Sequence, residues 1–420
     1  MDAASDWPTL DGMHEPTDDP ELLLIDAETV TELRDRTAHL TELVKESTLA
    51  DVAATLRRGL ADRPVRAGVV AASAAQASER LTALAAKLDS TTTIDPANGI
   101  FVGRANGTPR IGYLFPGQGA SNDVDNSALT RRFETAREFY RATRIPTAEN
   151  LFPPSIFQQQ IVASSIAGLR VLSVLGIEAT AAVGHSLGDL TALHWAGAMT
   201  ESELLTFVGE RGQIVAKACT RTGAMVGIAA GPEKVEPLLR GEPVVIVGYN
   251  NPDETAIAGP AEAVERVQRA ALAADLKADR MPVADAFHSS AMTPAADGLR
   301  THLKDMHFRP LRRSVMSTVT GDVLQSDTDL RDLLVKQICE PVRFQQAVER
   351  MAEETDLFIE VGPSQALSGH ARRICPNIPA VALSTESTSL SGLLSAAAAA
   401  YVLGAPVRTD LLTAGKDAQS

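Results

Sequence analysis

The feature that most constrains the fold is a glycine-flanked serine, Gly184-His185-Ser186-Leu187-Gly188, where an apolar run stops and a helix-forming segment begins. This Gly-x-Ser-x-Gly pattern predicts a sharp turn between a strand and a helix, with Ser186 at its tip. A serine at such a turn projects its hydroxyl away from the backbone, and the following helix directs N–H groups and a positive dipole end at whatever the serine attacks. The pattern indicates acyl transfer through an acyl-serine. Small residues suit any tight turn, so a purely structural turn stays open at this point.

Apolar runs alternate with segments of helical spacing along the chain, which favours a largely parallel sheet covered on both faces. From Gly223 to Val283 the predicted order is β-α-β-β-α-β, a split βαβ unit inserted in the larger chain. The ends of an insertion lie near each other, so we expect Ala286-Phe287-His288-Ser289 beside the main domain. The predicted fold class is therefore α/β. It comprises an α/β-hydrolase-like large subdomain with a mostly parallel sheet and an inserted ferredoxin-like small subdomain. The N-terminal α/β unit is interpreted as a packing or linker domain.

Composition excludes several classes of function. A formal net charge of −14 argues against nucleic acid or an anionic membrane as the main partner, since both reward clustered Lys and Arg. Three widely spaced cysteines form neither a disulfide framework nor a metal motif and suit a reducing cytosol. The sequence has no apolar run of membrane-spanning length, and its acidic start lacks the pattern of a signal peptide.

A serine hydroxyl needs a base within hydrogen-bond reach. Among eight histidines, His288 is the candidate, because a buried imidazole in its apolar context would be costly without a polar partner. His185 adjoins Ser186 and is interpreted as a structural residue that braces the loop. The strongest candidate acids between Ser186 and His288 are Asp253, Asp275 and Asp279, which lie in the inserted unit without a strand-end context and are interpreted as solvated charges. A backbone carbonyl could orient the imidazole instead.

Two further segments are candidates for the site. The short strand Arg110 to Phe115 ends in Pro116-Gly117-Gln118-Gly119, a loop whose glycines let backbone N–H groups approach a ligand, although a plain turn is the alternative. Arg211 lies on the predicted helix Glu201 to Cys219. It could supply the local cation that an anionic substrate needs in an acidic protein, or be an exposed charge.

Taken together, these motifs resemble a known family. Their order is Pro116-Gly117-Gln118-Gly119, Gly184 to Gly188, Arg211, Ala286 to Ser289 and Val361-Gly362-Pro363. This set is similar to that of malonyl-CoA:acyl carrier protein transacylases and of the acyltransferase domains of type I polyketide and fatty acid synthases. The resemblance covers about Arg110 to Leu403. Within these residues, the amino-acid sequence from Gly184 to Met199 most resembles the acyltransferase region of iterative enediyne polyketide synthases.

The resemblance implies a role for each matching residue. Ser186 would be the nucleophile and His288 the general base and then acid. The backbone N–H groups of Gln118 and Leu187 would form the oxyanion hole. Arg211 would make a bidentate pair with the free carboxylate of the extender unit.

The resemblance also implies supporting residues. The carbonyl that orients the histidine would belong to Glu340, before a Pro-Val pair, and Asn250 matches an asparagine near the site. Malonyl-selective relatives usually carry His-Ala-Phe-His and methylmalonyl-selective ones Tyr-Ala-Ser-His. This chain carries Asp285-Ala286-Phe287-His288 and so departs at the first position. Phe287 would crowd a 2-methyl group, and one methyl is worth roughly 1–3 kcal/mol in a snug pocket, so malonyl is expected.

The first hundred residues resemble the linker domain between ketosynthase and acyltransferase, which makes the chain an expected piece of a larger synthase. The expected division is 1–20 a disordered or appended start, 21–106 the linker domain, 107–222 and 287–405 the large subdomain, 223–286 the small subdomain and 406–420 a tail. The resemblance implies that malonyl-CoA and a phosphopantetheine-bearing acyl carrier protein are the substrates and that a ketosynthase is the neighbouring domain. It implies a cytoplasmic location, no nucleic acid or membrane partner and no bound metal or cofactor.

The predicted function is malonyl transfer to a carrier protein in polyketide biosynthesis, by a ping-pong route through malonyl-Ser186. One alternative is a serine thioesterase or editing hydrolase, against which Arg211 and the absent intervening acid count. The other is a non-catalytic interaction module of a synthase, in which the serine serves only the turn.

Overall fold

The chain opens with a four-stranded antiparallel sheet, in a computed structural model that describes residues 19–90, 92–118, 127–143, 145 and 154–412. Side chains of its first strand alternate between two cores, with Leu23 facing the local helices and Leu24 facing the rest of the molecule. The sheet order is β1-β2-β4-β3, with the short β3 at one edge. The elements are β1 (Glu21–Ala27), α1 (Val30–Glu46), α2 (Leu49–Arg58), β2 (Val65–Ala71), α3 (Ala74–Ala85), β3 (Thr93–Asp95) and β4 (Ile100–Arg104).

The next segment contributes two adjacent strands and the helices that cover them. The helical spacing from Thr130 to Thr143 predicts one helix, but the structure has two, because the backbone at the buried Phe133 is extended. The capping box of Thr200 and Glu203 begins the last helix. The elements are β5 (Ile111–Phe115), α4 (Ala128–Arg132), α5 (Glu134–Thr143), α6 (Pro154–Val174), β6 (Ala181–Gly184), α7 (Gly188–Trp195) and α8 (Glu201–Ala218).

A second four-stranded antiparallel sheet, ordered β10-β7-β9-β8, follows in the chain. Its ends meet, because the Gly223 N–H donates to the Ala284 carbonyl at 3.1 Å. The chain therefore returns to the main sheet just before His288. The elements are β7 (Gly223–Ile228), α9 (Pro232–Val235), β8 (Val245–Asn251), β9 (Glu254–Pro260), α10 (Ala261–Ala273) and β10 (Ala278–Arg280).

The remaining elements complete a five-stranded sheet with the order β11-β6-β5-β12-β13, in which every neighbouring pair is parallel. The predicted α/β class with a parallel sheet is confirmed. Because parallel strands end at the same edge, β5 and β6 bring their following loops together there. The elements are α11 (Thr293–Leu303), β11 (Ser314–Met316), α12 (Leu330–Gln337), α13 (Phe344–Ala352), β12 (Leu357–Glu360), α14 (Ala366–Ile374), β13 (Ala380–Ala382) and α15 (Ser391–Leu403).

The closing helix α15 lies between the N-terminal sheet and the parallel sheet. Its alanines are buried on all sides, as expected of a helix that packs in a core rather than on a surface. A Cβ at Gly103 of β4 would lie 2.5 Å from the Val402 carbonyl oxygen, so backbone meets backbone there. Across the described ranges, no helix combines the length and apolarity needed to span a bilayer.

Candidate active site

Ser186 occupies the turn between β6 and α7, where its backbone is left-handed with φ +53°. The glycines on either side are required by space. A Cβ at Gly184 would lie 2.0 Å from the Gly188 carbonyl carbon, and one at Gly188 would lie 2.0 Å from the Phe115 carbonyl oxygen. The Gly-x-Ser-x-Gly pattern thus reflects close packing of this turn against the end of β5, which leaves the serine at the tip.

His288 faces the serine. Its Nε2 lies 2.8 Å from Ser186 Oγ, and its Nδ1 lies 2.9 Å from the Gln337 carbonyl oxygen and 3.2 Å from that of Glu340. Since carbonyls only accept, Nδ1 carries the proton and Nε2 presents a lone pair to the hydroxyl. Burial lowers the pKa of His288 to about 4, aided by nearby His185, so the ring is neutral at pH 7. The arrangement suits a base that takes the serine proton.

The orienting carbonyl was expected at Glu340, and the structure adds a nearer one at Gln337. The His288 N–H also donates to the Ile338 carbonyl at 3.1 Å, and its φ of +58° is left-handed. The segment from Gln337 to Glu340 therefore fixes both the backbone and the ring of the histidine. The acids of the inserted unit that were interpreted as solvated, Asp253 and Asp275 among them, are exposed.

Arg211 of α8 is only 5% exposed and lines the same cavity as Ser186 and His288. Its Nη1 donates to Gln158 Oε1 at 3.0 Å and its Nη2 to Gln337 Oε1 at 3.3 Å. Burial lowers its pKa to about 10, which leaves it charged at pH 7. The alternative of an exposed helix charge is therefore wrong for Arg211.

The cavity has a volume of about 380 Å³ and lies between the parallel sheet and the inserted sheet. Phe287 and Asn250 line it, as do apolar side chains of the inserted unit such as Met225 and Val247. Asp285 does not line it. Its Oδ1 instead accepts from the Thr220 and Arg221 N–H groups at 2.9 Å each, which holds the junction between α8 and β7.

Gln118 and Leu187 lie at the cavity's edge, on the loops after β5 and β6. Within the described part of the chain, neither backbone N–H has an acceptor in a hydrogen bond. Both groups could therefore donate to an oxygen bound beside Ser186. Gly119 of the same motif lies outside the described residues.

His185 and Asn250 support the serine loop. The His185 Nε2 lies 3.0 Å from Asn250 Oδ1, and Asn250 Nδ2 donates to Glu254 Oε1 at 2.9 Å. Burial lowers the pKa of His185 to about 4, so its ring is neutral as well. These contacts tie the residue before Ser186 to the inserted unit.

Sequence reasoning missed three buried polar residues, Gln158, Gln337 and Asp189. Gln337 Nε2 donates to Asp189 Oδ2 at 3.0 Å and to the Ser186 carbonyl, and Thr318 Oγ1 donates to the same Asp189 oxygen at 2.8 Å. Burial raises the pKa of Asp189 to about 7. The only signal in the sequence was an acid in the first turn of an apolar helix, three residues after the serine. Across the described ranges, no group of three or more His, Cys, Asp or Glu side chains is placed to hold a metal ion.

The chain is similar in sequence to several acyl-transferring proteins. Residues 153–380 match the family model described as acyl transferase domain. The malonyl CoA-acyl carrier protein transacylase of Escherichia coli (strain K12) is 30% identical over 305 residues, which cover 68% of this chain and 99% of that protein. The non-reducing polyketide synthase PKS8-1 of Pseudocercospora fijiensis is 27% identical over 379 residues, which cover 83% of this chain and 21% of the synthase. The chain spans about a fifth or less of the curated synthases that it matches.

Solved structures extend the similarity to the N-terminal unit. The acyltransferase domain of an iterative polyketide synthase in enediyne biosynthesis superposes with a TM-score of 0.79 at 29% identity, covering 94% of this chain and 99% of that one.

Proposed function

The chain belongs to the acyl transferase domain family and is an acyltransferase, and on that premise we propose that it moves a malonyl group from malonyl-CoA to the phosphopantetheine thiol of an acyl carrier protein. The observation that carries the proposal is the contact of 2.8 Å between Ser186 Oγ and His288 Nε2, in a cavity also lined by the buried cation Arg211. A nucleophile, its base and a carboxylate partner thus face one enclosed space.

In the first half-reaction, His288 Nε2 takes the Ser186 proton as Oγ attacks the thioester carbonyl carbon. The N–H groups of Gln118 and Leu187 donate to the oxyanion that forms. The carbon–sulfur bond then breaks, and the histidine returns its proton to the departing CoA sulfur. The product is malonyl-Ser186 with a neutral histidine.

In the second half-reaction, His288 takes the proton of the phosphopantetheine thiol, and the sulfur attacks the ester carbonyl carbon. The bond from carbon to Ser186 Oγ breaks, and the proton returns to the serine. The guanidinium of Arg211 holds the malonyl carboxylate through both steps, because a planar, permanently charged fork matches a carboxylate. Phe287 limits the space beside C2, which favours malonyl over methylmalonyl.

The proposal includes a division of the chain. The sheet order β10-β7-β9-β8 supports a ferredoxin-like small subdomain at 223–286 within an α/β-hydrolase-like large subdomain at 107–222 and 287–405. Similarity to a solved acyltransferase domain over 94% of the chain supports 21–106 as the linker domain of a type I synthase, beside a ketosynthase. That structure's source supports an iterative, enediyne-type synthase. The proposed reaction takes place in the cytoplasm and uses no bound cofactor.

The proposed function is tested by mixing the protein with malonyl-CoA and measuring its intact mass. We expect a malonyl adduct on Ser186 that is absent in Ser186→Ala and passes to a phosphopantetheine-bearing carrier protein faster than to water. An adduct released only to water would indicate a hydrolase. Labelling that persists in Ser186→Ala would contradict the acyl-serine route and favour an interaction module.

The carboxylate role of Arg211 is tested in the same assay with Arg211→Ala. Loss of the cation removes the partner of the malonyl carboxylate, whereas acetyl-CoA has no such group. We expect the ratio of malonyl to acetyl adduct to fall by about tenfold or more, the scale of a lost charge-assisted hydrogen bond. An unchanged ratio would remove the carboxylate clamp from the proposal.

A further inference from the structure

The buried cation Arg211 is held by neutral groups. Its hydrogen-bond acceptors are the side-chain oxygens of Gln158 and Gln337, at 3.0 and 3.3 Å. In the described part of the chain, no carboxylate lies within ion-pairing distance of its guanidinium. Asp189 acts on Arg211 only at longer range, and Gln337, which bonds to both, donates to Asp189 Oδ2.

The two amide oxygens orient the guanidinium and satisfy its N–H groups, but they carry no formal charge to compensate the cation. A carboxylate in the same place would form a charge-assisted pair with Arg211 and compete with any carboxylate that enters the cavity. An amide therefore leaves a buried positive charge for the ligand.

Gln158 is one of these neutral acceptors of Arg211. It is 1% exposed, lies on α6 and lines the cavity. Its Oε1 accepts from Arg211, and its Nε2 donates to Gln118 Oε1 at 3.1 Å, so neither end of the amide bonds to its own helix. One side chain thus connects the guanidinium to Gln118, whose backbone N–H would donate to the oxyanion in the proposed function.

We propose that Gln158 is a specificity-determining positioning residue, which orients Arg211 with a neutral acceptor and so reserves its charge for acyl groups that bear a free carboxylate. This inference rests on the proposed function, because it assigns the carboxylate to an acyl-CoA donor. It adds that selection depends on the absence of charge at position 158 as well as on the presence of charge at position 211. The link to Gln118 aligns the two ends of the acyl group with each other.

The test is Gln158→Glu, which keeps the shape and one acceptor oxygen but adds a negative charge beside Arg211. We expect the ratio of kcat/KM for malonyl-CoA to that for acetyl-CoA to fall by about tenfold or more, through a higher KM for malonyl-CoA, as expected when a buried charge is already paired. A merely structural role would lower kcat/KM for both donors equally. An equal fall in the two values, which leaves their ratio unchanged, would overturn the proposal.

The matched control is Gln159→Glu, the same change one position along α6, where the side chain donates to the Leu205 carbonyl and does not line the cavity. We expect its donor ratio to match that of the unaltered protein, and an equal shift there would also overturn the proposal. Should Gln158→Glu fail to fold, Gln158→Met carries the test. Methionine removes the acceptor without adding charge, so we expect the ratio of kcat/KM for malonyl-CoA to that for acetyl-CoA to fall by about threefold. An unchanged ratio would count against the inference.

Arg211→Ala separates this inference from the proposed function. If that variant alters the donor ratio and Gln158→Glu does not, the clamp stands and the role of Gln158 is wrong. If Arg211→Ala leaves the ratio unchanged, the clamp itself is wrong.

Discussion

At the scale of single residues, the site depends on two side chains carried by left-handed backbone. Ser186 has φ +53° and His288 has φ +58°, and each conformation costs a non-glycine residue about 1–2 kcal/mol. The surrounding structure holds both, through the close glycine packing at the serine and the Ile338 carbonyl at the histidine. Neither residue lies inside a helix or strand, so both side chains can face the cavity between the two sheets.

The first residue-scale prediction concerns pH. Because burial lowers the pKa of His288 to about 4, we expect kcat/KM for malonyl-CoA to stay level as pH falls through 6.5 and to decline only toward pH 4. The lowered pKa of His288 also makes the free energy of unfolding depend on pH. Unfolded His288 binds a proton below about pH 6.5 that the folded protein does not, so the contribution of His288 to the free energy of unfolding decreases from there toward pH 4. A kcat/KM profile and denaturant titrations check the two statements.

The control for this prediction is Asp189→Asn, since burial raises the pKa of Asp189 to about 7. An inflection near pH 7 that vanishes in Asp189→Asn belongs to the aspartate. An inflection near pH 6.5 that persists in that variant would contradict a buried, neutral His288.

At the scale of elements, the segment between α12 and α13 joins the two halves of the site. Its carbonyls at Gln337 and Glu340 orient His288, and Val342 then pairs with β8, donating to the Val247 carbonyl and accepting from the Tyr249 N–H at 2.9 Å each. The edge strand of the inserted sheet therefore fixes the segment that orients His288. The placement of the inserted unit and the alignment of the histidine are coupled.

The other junction of the inserted unit depends on Asp285, which yields the element-scale prediction. Asp285→Ala removes the acceptor of two backbone N–H groups, so we expect the free energy of unfolding to fall by about 1–2 kcal/mol, a loss limited because Thr220 and Arg221 are exposed to water. Asp285→Asn keeps an acceptor oxygen and should lose less than half as much. Denaturant titration of the two variants measures this, and equal losses would show that the hydrogen bonds contribute nothing.

At the scale of the whole molecule, α15 makes the N-terminal unit part of the acyltransferase body. The helix packs its alanines against strands of both sheets, and core residues of the two regions form one cluster. At Gly103, β4 approaches the helix so closely that no side chain fits. The N-terminal sheet therefore stabilises the helix that follows the last strand of the parallel sheet.

The whole-molecule prediction is that Gly103→Ala destabilises the protein, because its Cβ would meet the Val402 carbonyl oxygen at 2.5 Å and separate the sheet from α15. We expect a loss of about 1–3 kcal/mol in the free energy of unfolding, typical of overpacking. Gly369→Ala is the matched control, since no atom lies within 4 Å of a Cβ there and the helix should gain from alanine. Thermal unfolding of both variants is the measurement, and similar melting temperatures would contradict this account of α15.

The sequence by itself determined what depends on local geometry. The turn at Ser186, the helix carrying Arg211 and the alternation that produces a parallel sheet all follow from spacing and residue type within short segments. His288 could be selected because burial of an imidazole demands a partner. Each of these needs only the chemistry of near neighbours in the chain.

The tertiary structure alone decided which distant groups meet. Gln158 is 53 residues from Arg211 in the chain, and Gln337 is 126 away, yet both accept its hydrogen bonds. A glutamine in a helix has the same local pattern whether it faces water or a buried cation. The nearer orienting carbonyl at Gln337, like the break in the helix at Phe133, likewise depends on long-range packing, since a hydrogen-bond partner is chosen by position in space.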